Sequence, residues 1–337
     1  MHTRKLGQFE VSALGLGCMS MSQSYGKPDR AESERALHRA LDIGYTFLDT
    51  ASLYGYGHNE KLLGEVLKGR RNEFVLASKC GLFRDKVTGL RTLDASPEKI
   101  HQICDESLQN LQTDVIDLYY LHRIDPKVPV EESFGAMAEL VSAGKVRSVG
   151  ISEASSANIR LAHSVCPLTA VQSEYSLWTR IAELKVLSTC RELGITFVPF
   201  SPLGRGFLTG KLKDTSTLGE DDLRMTMPRF LGENFTTNIH LLEAYEAIAA
   251  EVGCTPAQLA LAWLLNKDET VIPIPGTKHV QYVEENAGAA DISLSADVMS
   301  RLDRLINDNT VLGERYNETF MKMMDSENDK IKRVSVD

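Results

Sequence analysis

No two of the six cysteines stand as C-x-x-C, and the nearest in the chain, such as Cys80 and Cys104, are 24 residues apart. That removes zinc-knuckle and dithiol redox spacings. H-x-H and H-E-x-x-H are absent among the eight histidines, so motif gives no reason to expect a metal. Nowhere does an apolar run reach the roughly 18 residues of a membrane-spanning helix. The opening MHTRKLGQFEVSALGLG lacks the apolar stretch of about 7–15 residues that follows the basic residues of a secretory signal. Positive charge is not in excess either: 37 Lys and Arg face 46 Asp and Glu, for a net charge of −9. Such a chain has no electrostatic footprint for nucleic acid or an anionic membrane. The expectation is a reduced, cytoplasmic protein whose cysteines pack as small hydrophobes.

What is present is globular in balance, with 43% hydrophobic and 25% charged residues over 337 positions. The segment 2–15 alternates around Gly7-Gln8, as in a small β-hairpin. Eight short apolar runs follow: ALGLG (13–17), YTFLD (45–49), FVLASK (74–79), VIDLYYL (115–121), VRSVGIS (146–152), LTAVQS (168–173), ITFVPFS (195–201) and TVIPIP (270–275). Helical patterns separate them. In ERALHRALDIG, Ala36, Leu37, Ala40, Leu41 and Ile43 share a face and Gly44 is a stop signal. PEKIHQICDESLQNL and PVEESFGAMAELVSAG each begin at a proline suited to the first helical position.

Strand-helix alternation repeated eight times predicts an α/β fold, a (β/α)8 TIM barrel in one domain over 1–337. Expected strand ends lie near 17, 49, 79, 122, 152, 173, 201 and 275. The last spacing is more than twice the usual one, which places an insertion after strand 7, at about 204–240. The tail, about 310–337, reads as loop and then as a mobile charged end. A doubly wound nucleotide-binding sheet is the competing architecture. Its glycine fingerprint fails, because Ser20 stands where the third glycine after Gly15 and Gly17 belongs, and Asp49 is too distant for ribose duty.

The C-terminal ends of barrel strands form the working face. Those ends carry Asp49, Lys79, His122, Ser152, Gln172 and Ser201, with Tyr54 shortly after Asp49. Taken singly, Asp49 reads as a cap, Tyr54 as loop packing, Lys79 as a solvated strand edge and His122 as a structural histidine. Their convergence from three neighbouring strands is harder to explain that way. A phenol with a pKa near about 10 is a weak donor at neutrality, and a nearby ammonium lowers that pKa. A buried lysine stays charged if it is paired, and Asp49 can pair it. The set lacks a nucleophile-base pair and a metal cage. It suits protonation of an oxygen that turns negative when hydride reaches carbon, with Tyr54 as general acid.

The chain resembles the aldo-keto reductases over nearly its whole length. The motifs are LGLGCMSMS (14–22), FLDTASLYGYGHNEKLLGEVLK (47–68), VLASKCG (75–81), LYYLHRID (118–125), GKVRSVGISEAS (144–155), AVQSEYSLWTR (170–180), VPFSPLGRGFLTGK (198–211) and IPIPGTKHVQYVEENAGA (272–289). SEYSLWTR, SPLGRGFLTG and HRID are most similar to the perakine-reductase-like bacterial and plant branch. The resemblance implies reduction of a small-molecule aldehyde or ketone by NADPH, with NADH not excluded. It implies a catalytic tetrad of Asp49, Tyr54, Lys79 and His122, of which Tyr54 and His122 meet the substrate. It places Ser152 and Gln172 on the nicotinamide carboxamide, Phe200 on the nicotinamide ring, and Gly17, Cys18 and Met19 beside the ribose. It places Ser201, Pro202, Leu203, Gly204 and Arg205 along the pyrophosphate. Gly276, Thr277, Lys278, Gln281, Glu285 and Asn286 would hold the adenosine and its 2′-phosphate.

Two positions depart from the family pattern. Glu153 replaces the usual asparagine, and Tyr282 falls where many members carry an arginine against the 2′-phosphate. Lys278 can serve that phosphate instead, as a point charge. Substrate choice is expected from Tyr25, Phe83, Arg123, Trp178 and the insertion. The alternative is a cofactor-sensing regulatory protein on the same fold, as in potassium-channel β-subunits. A hydrolase built on Gly150-Ile151-Ser152-Glu153-Ala154 would be a nucleophile elbow missing its last glycine.

Overall fold

A hairpin opens the chain. Its strands, β1 (Thr3–Leu6) and β2 (Phe9–Ser12), pair antiparallel around Gly7-Gln8. Gly7 has φ +57°, and a Cβ there would meet Thr169 Cγ2 at 2.7 Å, so both backbone and neighbour require glycine. Leu6 and Val11 of the hairpin are buried with Phe47, Ala77, Leu118, Tyr120, Ala170, Val198 and Ile272. The hairpin thus forms the floor of the barrel. The computed structural model describes residues 1–84 and 91–331.

The barrel strands come in chain order: β3 (Leu16–Gly17), β4 (Phe47–Asp49) and β5 (Val75–Cys80). A short antiparallel pair interrupts, β6 (Leu82–Arg84) with β7 (Arg91–Leu93). Next come β8 (Leu118–Leu121), β9 (Val149–Ser152), β10 (Leu168–Glu174) and β11 (Thr196–Phe200). They form one parallel sheet in the order β3-β4-β5-β8-β9-β10-β11. The predicted eighth strand closes it without a full ladder. Ile272 and Ile274 donate to Phe197 O and Pro199 O at 2.9 and 3.1 Å, while Pro273 and Pro275 only accept, from Gly15 N and Gly17 N at 3.0 and 3.1 Å. Proline has no N–H to return, so the seam toward β3 is bonded in one direction.

Helices shell the barrel. Asp29 caps α1 (Arg30–Asp42), whose Ala36, Leu37, Ala40 and Leu41 are buried, and Gly44 follows at φ +94°. After α2 (His58–Leu67) comes α3 (Pro97–Leu111), with Ser96 as cap and Pro97 at its first position. In α4 (Val130–Ser142) the proline is the cap itself, one residue earlier than expected. α5 (Ser156–Val165) and α6 (Val186–Leu193) complete the regular units. The expected insertion is a chain of short tight turns ending in α7 (Gly232–Asn238). It is anchored by Phe207, which stacks on Trp178 at 4.1 Å, and by buried Met227 and Phe230. α8 (Leu241–Val252), α9 (Pro256–Leu265), α10 (Val280–Ala287) and α11 (Ala296–Leu305) return the chain to the barrel. Among the described residues no single helix is long and apolar enough to cross a membrane.

The tail corrects an expectation. Instead of plain loop, it forms α12 (Glu318–Met321) and α13 (Asn328–Ile331) and bonds to the barrel; the end expected to be mobile lies partly, at 332–337, outside the described residues. Its acids have work to do. Asp325 and Asp329 accept from Ser155 N and Ser156 N, at 2.7 and 3.0 Å, at the start of α5. This is the N-terminal anion preference of helices. Arg315, 3% exposed, reaches Glu153 at 2.6 Å, Glu327 at 2.8 Å and Glu174 at 3.2 Å. Glu153, the residue that departs from the family pattern, sits at φ +53° with no exposed surface. Burial pushes its carboxyl up, but Arg315 outweighs that and holds it at about 2, below the ordinary 4.5.

Removing one partner from a buried pair strands the other charge, at a cost of about 3–5 kcal/mol. Denaturant unfolding of Arg315→Met is therefore expected to show a loss of that order at neutral pH. A depressed carboxyl stabilises the fold fully above its unfolded pKa and loses that contribution as pH falls through the folded one. The wild-type advantage over Arg315→Met is accordingly expected to hold above pH 4.5 and fade as pH falls toward about 2. A difference under about 1 kcal/mol at neutrality, or one that grows with acid, contradicts this.

Candidate active site

Period-two alternation builds the site in layers. Inward positions on successive strands are apolar low in the barrel, at Phe47, Ala77, Leu118, Tyr120, Ala170 and Val198. Two residues further along the same faces stand Asp49, Lys79, His122, Gln172 and Phe200. Gly150 leaves room for this packing, since a Cβ there would meet the Tyr120 ring at 2.5 Å. Ser152 follows it at the end of β9.

Lys79 has no exposed surface, and Asp49 is 1% exposed. Lys79 Nζ donates to Asp49 Oδ1, to Thr50 O at 2.7 Å and to the Tyr54 hydroxyl at 3.4 Å. Gln172 Nε2 donates to the other Asp49 oxygen at 2.8 Å. Burial would push the ammonium down, but Asp49 and Tyr54 outweigh it and hold Lys79 above its ordinary value, charged. Tyr54 arrives from a turn after β4. Gly55 N in that turn donates to Gln23 Oε1 at 2.9 Å, and a Cβ on Gly55 would meet Ser22 Cβ at 2.9 Å. The Tyr54 and His122 rings meet edge to face with centroids 6.0 Å apart.

The phenol differs from expectation. Burial raises its pKa, Lys79 opposes, and Asp49 cancels part of that opposition, so the net direction is upward rather than downward. Tyr54 therefore keeps its proton at neutrality. Burial, then the charges of Arg123, Lys79 and Arg91, push His122 well below its ordinary value, so its ring is neutral. The grouping is a protonated phenol on a buried ion pair beside a neutral imidazole, and it can deliver one proton and one hydrogen bond to an oxygen.

A cavity of about 480 Å³ opens above these groups, within the range of small-molecule sites. Its wall includes Asp49, Tyr54, His122, Ser152 and Gln172, and Lys79 lies behind them, reached through Asp49. Gly17, Cys18 and Met19 line it from β3, Phe200, Ser201, Pro202, Leu203 and Arg205 from β11, and Gly276, Thr277, Lys278, Glu285 and Asn286 from the eighth segment and α10. Two expected residues are not on the wall. Gly204 is buried, its Cα facing the Trp178 ring, and Gln281 points to solvent. Of the expected specificity residues, Tyr25 and Arg123 line the cavity. Trp178 is 3% exposed in the aromatic anchor of the insertion, and the Phe83 ring lies 4.7 Å from Lys99 Nζ, so neither faces it.

Several features suit a dinucleotide. Ser201, Gly204, Arg205 and Gly206 all have positive φ, which turns the chain sharply around the cavity. Lys278 Nζ donates to the carbonyls of Tyr25, at 3.2 Å, and Lys27, at 2.5 Å, and meets no carboxylate among the described residues. Arg205 is committed differently, to Glu174 at 2.9 Å. Ser152 Oγ receives a hydrogen bond from Arg123 Nη1 at 3.0 Å and has no histidine partner among the described residues, so the nucleophile-elbow reading lacks a base there.

The expected insertion lines the cavity with Arg224, while sequence reasoning missed Gln23, Arg91 at the start of β7, and Tyr316, which share no recurring pattern. It also passed over Asn59. This buried side chain donates to Cys18 O and Ser22 Oγ at 2.8 Å each and accepts from Thr50 Oγ1 at 2.6 Å. The available signal was a pair of polar residues, Asn59 and Glu60, at the start of a helix whose inner face continues with Leu62, Leu63 and Leu67.

A model of the Aldo/keto reductase family matches residues 13–307. The aldo-keto reductase yakc (NADP+) of Schizosaccharomyces pombe is 42% identical over 319 residues, covering 93% of this chain and 94% of its own. The glycerol dehydrogenase AKR11B4 of Gluconobacter oxydans superposes with a TM-score of 0.82 at 28% identity, over 90% of this chain and 94% of the other. An aldo/keto reductase of Klebsiella pneumoniae, solved with NADP and acetate, gives a TM-score of 0.70 at 28% identity, over 92% and 96%. With its barrel, its cavity at the strand ends and these matches, the chain belongs to the aldo/keto reductase family of oxidoreductases.

Proposed function

We propose that this protein reduces an aldehyde or ketone to the alcohol with NADPH, and that Tyr54 is the proton donor. The observation that carries the reading is the contact of the buried Lys79–Asp49 pair with the Tyr54 hydroxyl, beside the neutral His122 ring. A bound nicotinamide supplies the hydride. His122 orients the carbonyl oxygen, and Tyr54 hands it a proton as charge develops there. Lys79 steadies the phenolate left behind, and Asp49 keeps Lys79 charged in its buried place. Ser152 and Gln172 hold the carboxamide, Phe200 flanks the ring, and Gly17 through Met19 border the ribose. The segment 201–205 follows the pyrophosphate, with Arg205 acting from its pairing with Glu174. The motifs around Trp178 and Arg205 favour the perakine-reductase-like branch.

NADPH is favoured by Lys278, which has no carboxylate partner among the described residues, and by one relative named for NADP+ and another solved with NADP. A charge-assisted phosphate contact is worth roughly 1.5–3 kcal/mol, or about a tenfold to hundredfold preference. Fluorescence titration is expected to give that ratio of dissociation constants for NADH over NADPH, and Lys278→Ala is expected to erase most of it. Equal affinities contradict the preference, and an unchanged ratio in the variant contradicts its assignment to Lys278.

The function itself is tested by NADPH oxidation over aromatic, aliphatic and keto substrates, with wild type beside Tyr54→Phe. The substitution keeps the ring and removes the donor. Cofactor affinity is expected to stay near wild type while kcat falls by about 10²–10⁴. A deuterium isotope effect from the labelled cofactor must first establish that hydride transfer limits the rate. Under that condition, retention of more than about a tenth of kcat removes Tyr54 as the acid. Cofactor binding without turnover of any carbonyl would favour the regulatory alternative.

A further inference from the structure

The cations on the cavity wall divide into two sets. Arg205 pairs with Glu174 at 2.9 Å, Arg224 with Asp222 at 2.8 Å and Lys211 with Glu285 at 3.3 Å. Arg123, Arg91 and Lys278 line the same cavity and have no carboxylate partner among the described residues. Lys278 belongs to the eighth segment. Arg123 follows β8, the fourth strand of the barrel and so across it from that segment. One cavity therefore holds, at two opposite ends, cations with no carboxylate in direct contact among the described residues.

Arg123 is 7% exposed. Its Nη1 donates to His122 O at 2.5 Å and Ser152 Oγ at 3.0 Å, both neutral acceptors, and its buried Nε has no partner among the described residues. Glu153, next along from Ser152, is occupied: its oxygens receive Glu174 N, Arg315 and Ser326 at 2.6–2.7 Å. A guanidinium does not shed its proton, so a buried one without a carboxylate is costly unless an anion joins it. Arg91 stands at the cavity mouth at the start of β7, over the Phe320 ring at 5.0 Å. Both arginines flank Tyr54 and His122, whereas the protein as a whole carries −9.

We propose that the carbonyl substrate bears an anionic oxygen group, a carboxylate or a phosphate, which Arg123 and Arg91 receive at the Tyr54–His122 end of the cavity. This rests on the reductase reading above and names its substrate class. The forked donors of arginine match both oxyanions in geometry. The anion fixes which end of the molecule faces Tyr54, so binding energy away from the reacting carbon orients the carbonyl.

The test is steady-state kinetics with NADPH on matched pairs: 4-carboxybenzaldehyde against its methyl ester, succinic semialdehyde against butanal, and glyceraldehyde 3-phosphate against glyceraldehyde. In wild type the anionic member is expected to have at least about a tenfold higher kcat/KM, mostly through KM. In Arg123→Gln and Arg91→Gln the ratio within each pair is expected to fall toward one, and Arg123→Lys is expected to restore part of it. Taking ratios within one variant cancels any loss of folded protein or cofactor affinity. A preference confined to the carboxylate pairs, or to the phosphate pair, supports the proposal and identifies the group. Equal kcat/KM within every pair in wild type, or a preference that survives both glutamine variants, overturns it while leaving the reductase reading intact. Absence of NADPH oxidation with all six compounds overturns that reading and the proposal with it.

Discussion

A lysine with no exposed surface holds its charge only if something nearby stays negative, and in this barrel that group is Asp49. Their pair is the constraint around which the site is arranged. It needs β4 and β5 side by side in the register that sets Asp49 opposite Ala77, two residues before Lys79. It needs Gln172 from β10 to satisfy the second carboxylate oxygen across the barrel. It also needs a turn after β4 tight enough to bring Tyr54 back over the ammonium, which Gly55 and the Asn59 contacts provide. Each requirement is met by a different element, so the phenol's position depends on the barrel as a whole.

Charge is managed in tiers beyond that pair. Glu153, Glu174, Arg205 and Arg315 form a second buried network that ties the tail to the ends of β9 and β10 and holds the chain after β11. The chain as a whole carries −9, while the cavity wall concentrates arginine and lysine. An anionic ligand would thus gain most of its attraction after entering, where charges are poorly screened. The neutral His122 fits this setting, because a third cation beside Arg123 and Lys79 would repel both.

Strand positions and the polar residues at their ends were legible because period-two alternation and strand-end placement are local properties. The predicted ends at 17, 49 and 152 coincide with β3, β4 and β9. The run TVIPIP reads as a strand and does close the barrel, although its prolines leave it half-bonded. What escaped depended on distant partners. SENDK looks like a solvated tail, and nothing local says that Asp325 and Asp329 will meet the first turn of α5. Glu153 registers only as a departure from pattern, since its partner Arg315 lies 162 residues away. Residue type alone puts Trp178 and Phe83 near the cavity, but packing turns them elsewhere. The Tyr54 shift runs opposite to expectation because burial of the phenol outweighs the Lys79 charge, part of which Asp49 offsets.

The central claim is that Lys79 and Asp49 act through the Tyr54 hydroxyl. A double-mutant cycle on single-turnover hydride transfer tests this most directly, using Tyr54→Phe, Lys79→Met and the combined variant at saturating cofactor. If the lysine acts through the phenol, the combined variant loses no more rate than the worse single variant, because the second substitution removes a group with nothing left to act on. Losses that multiply would show Lys79 working independently of Tyr54 and would contradict the account.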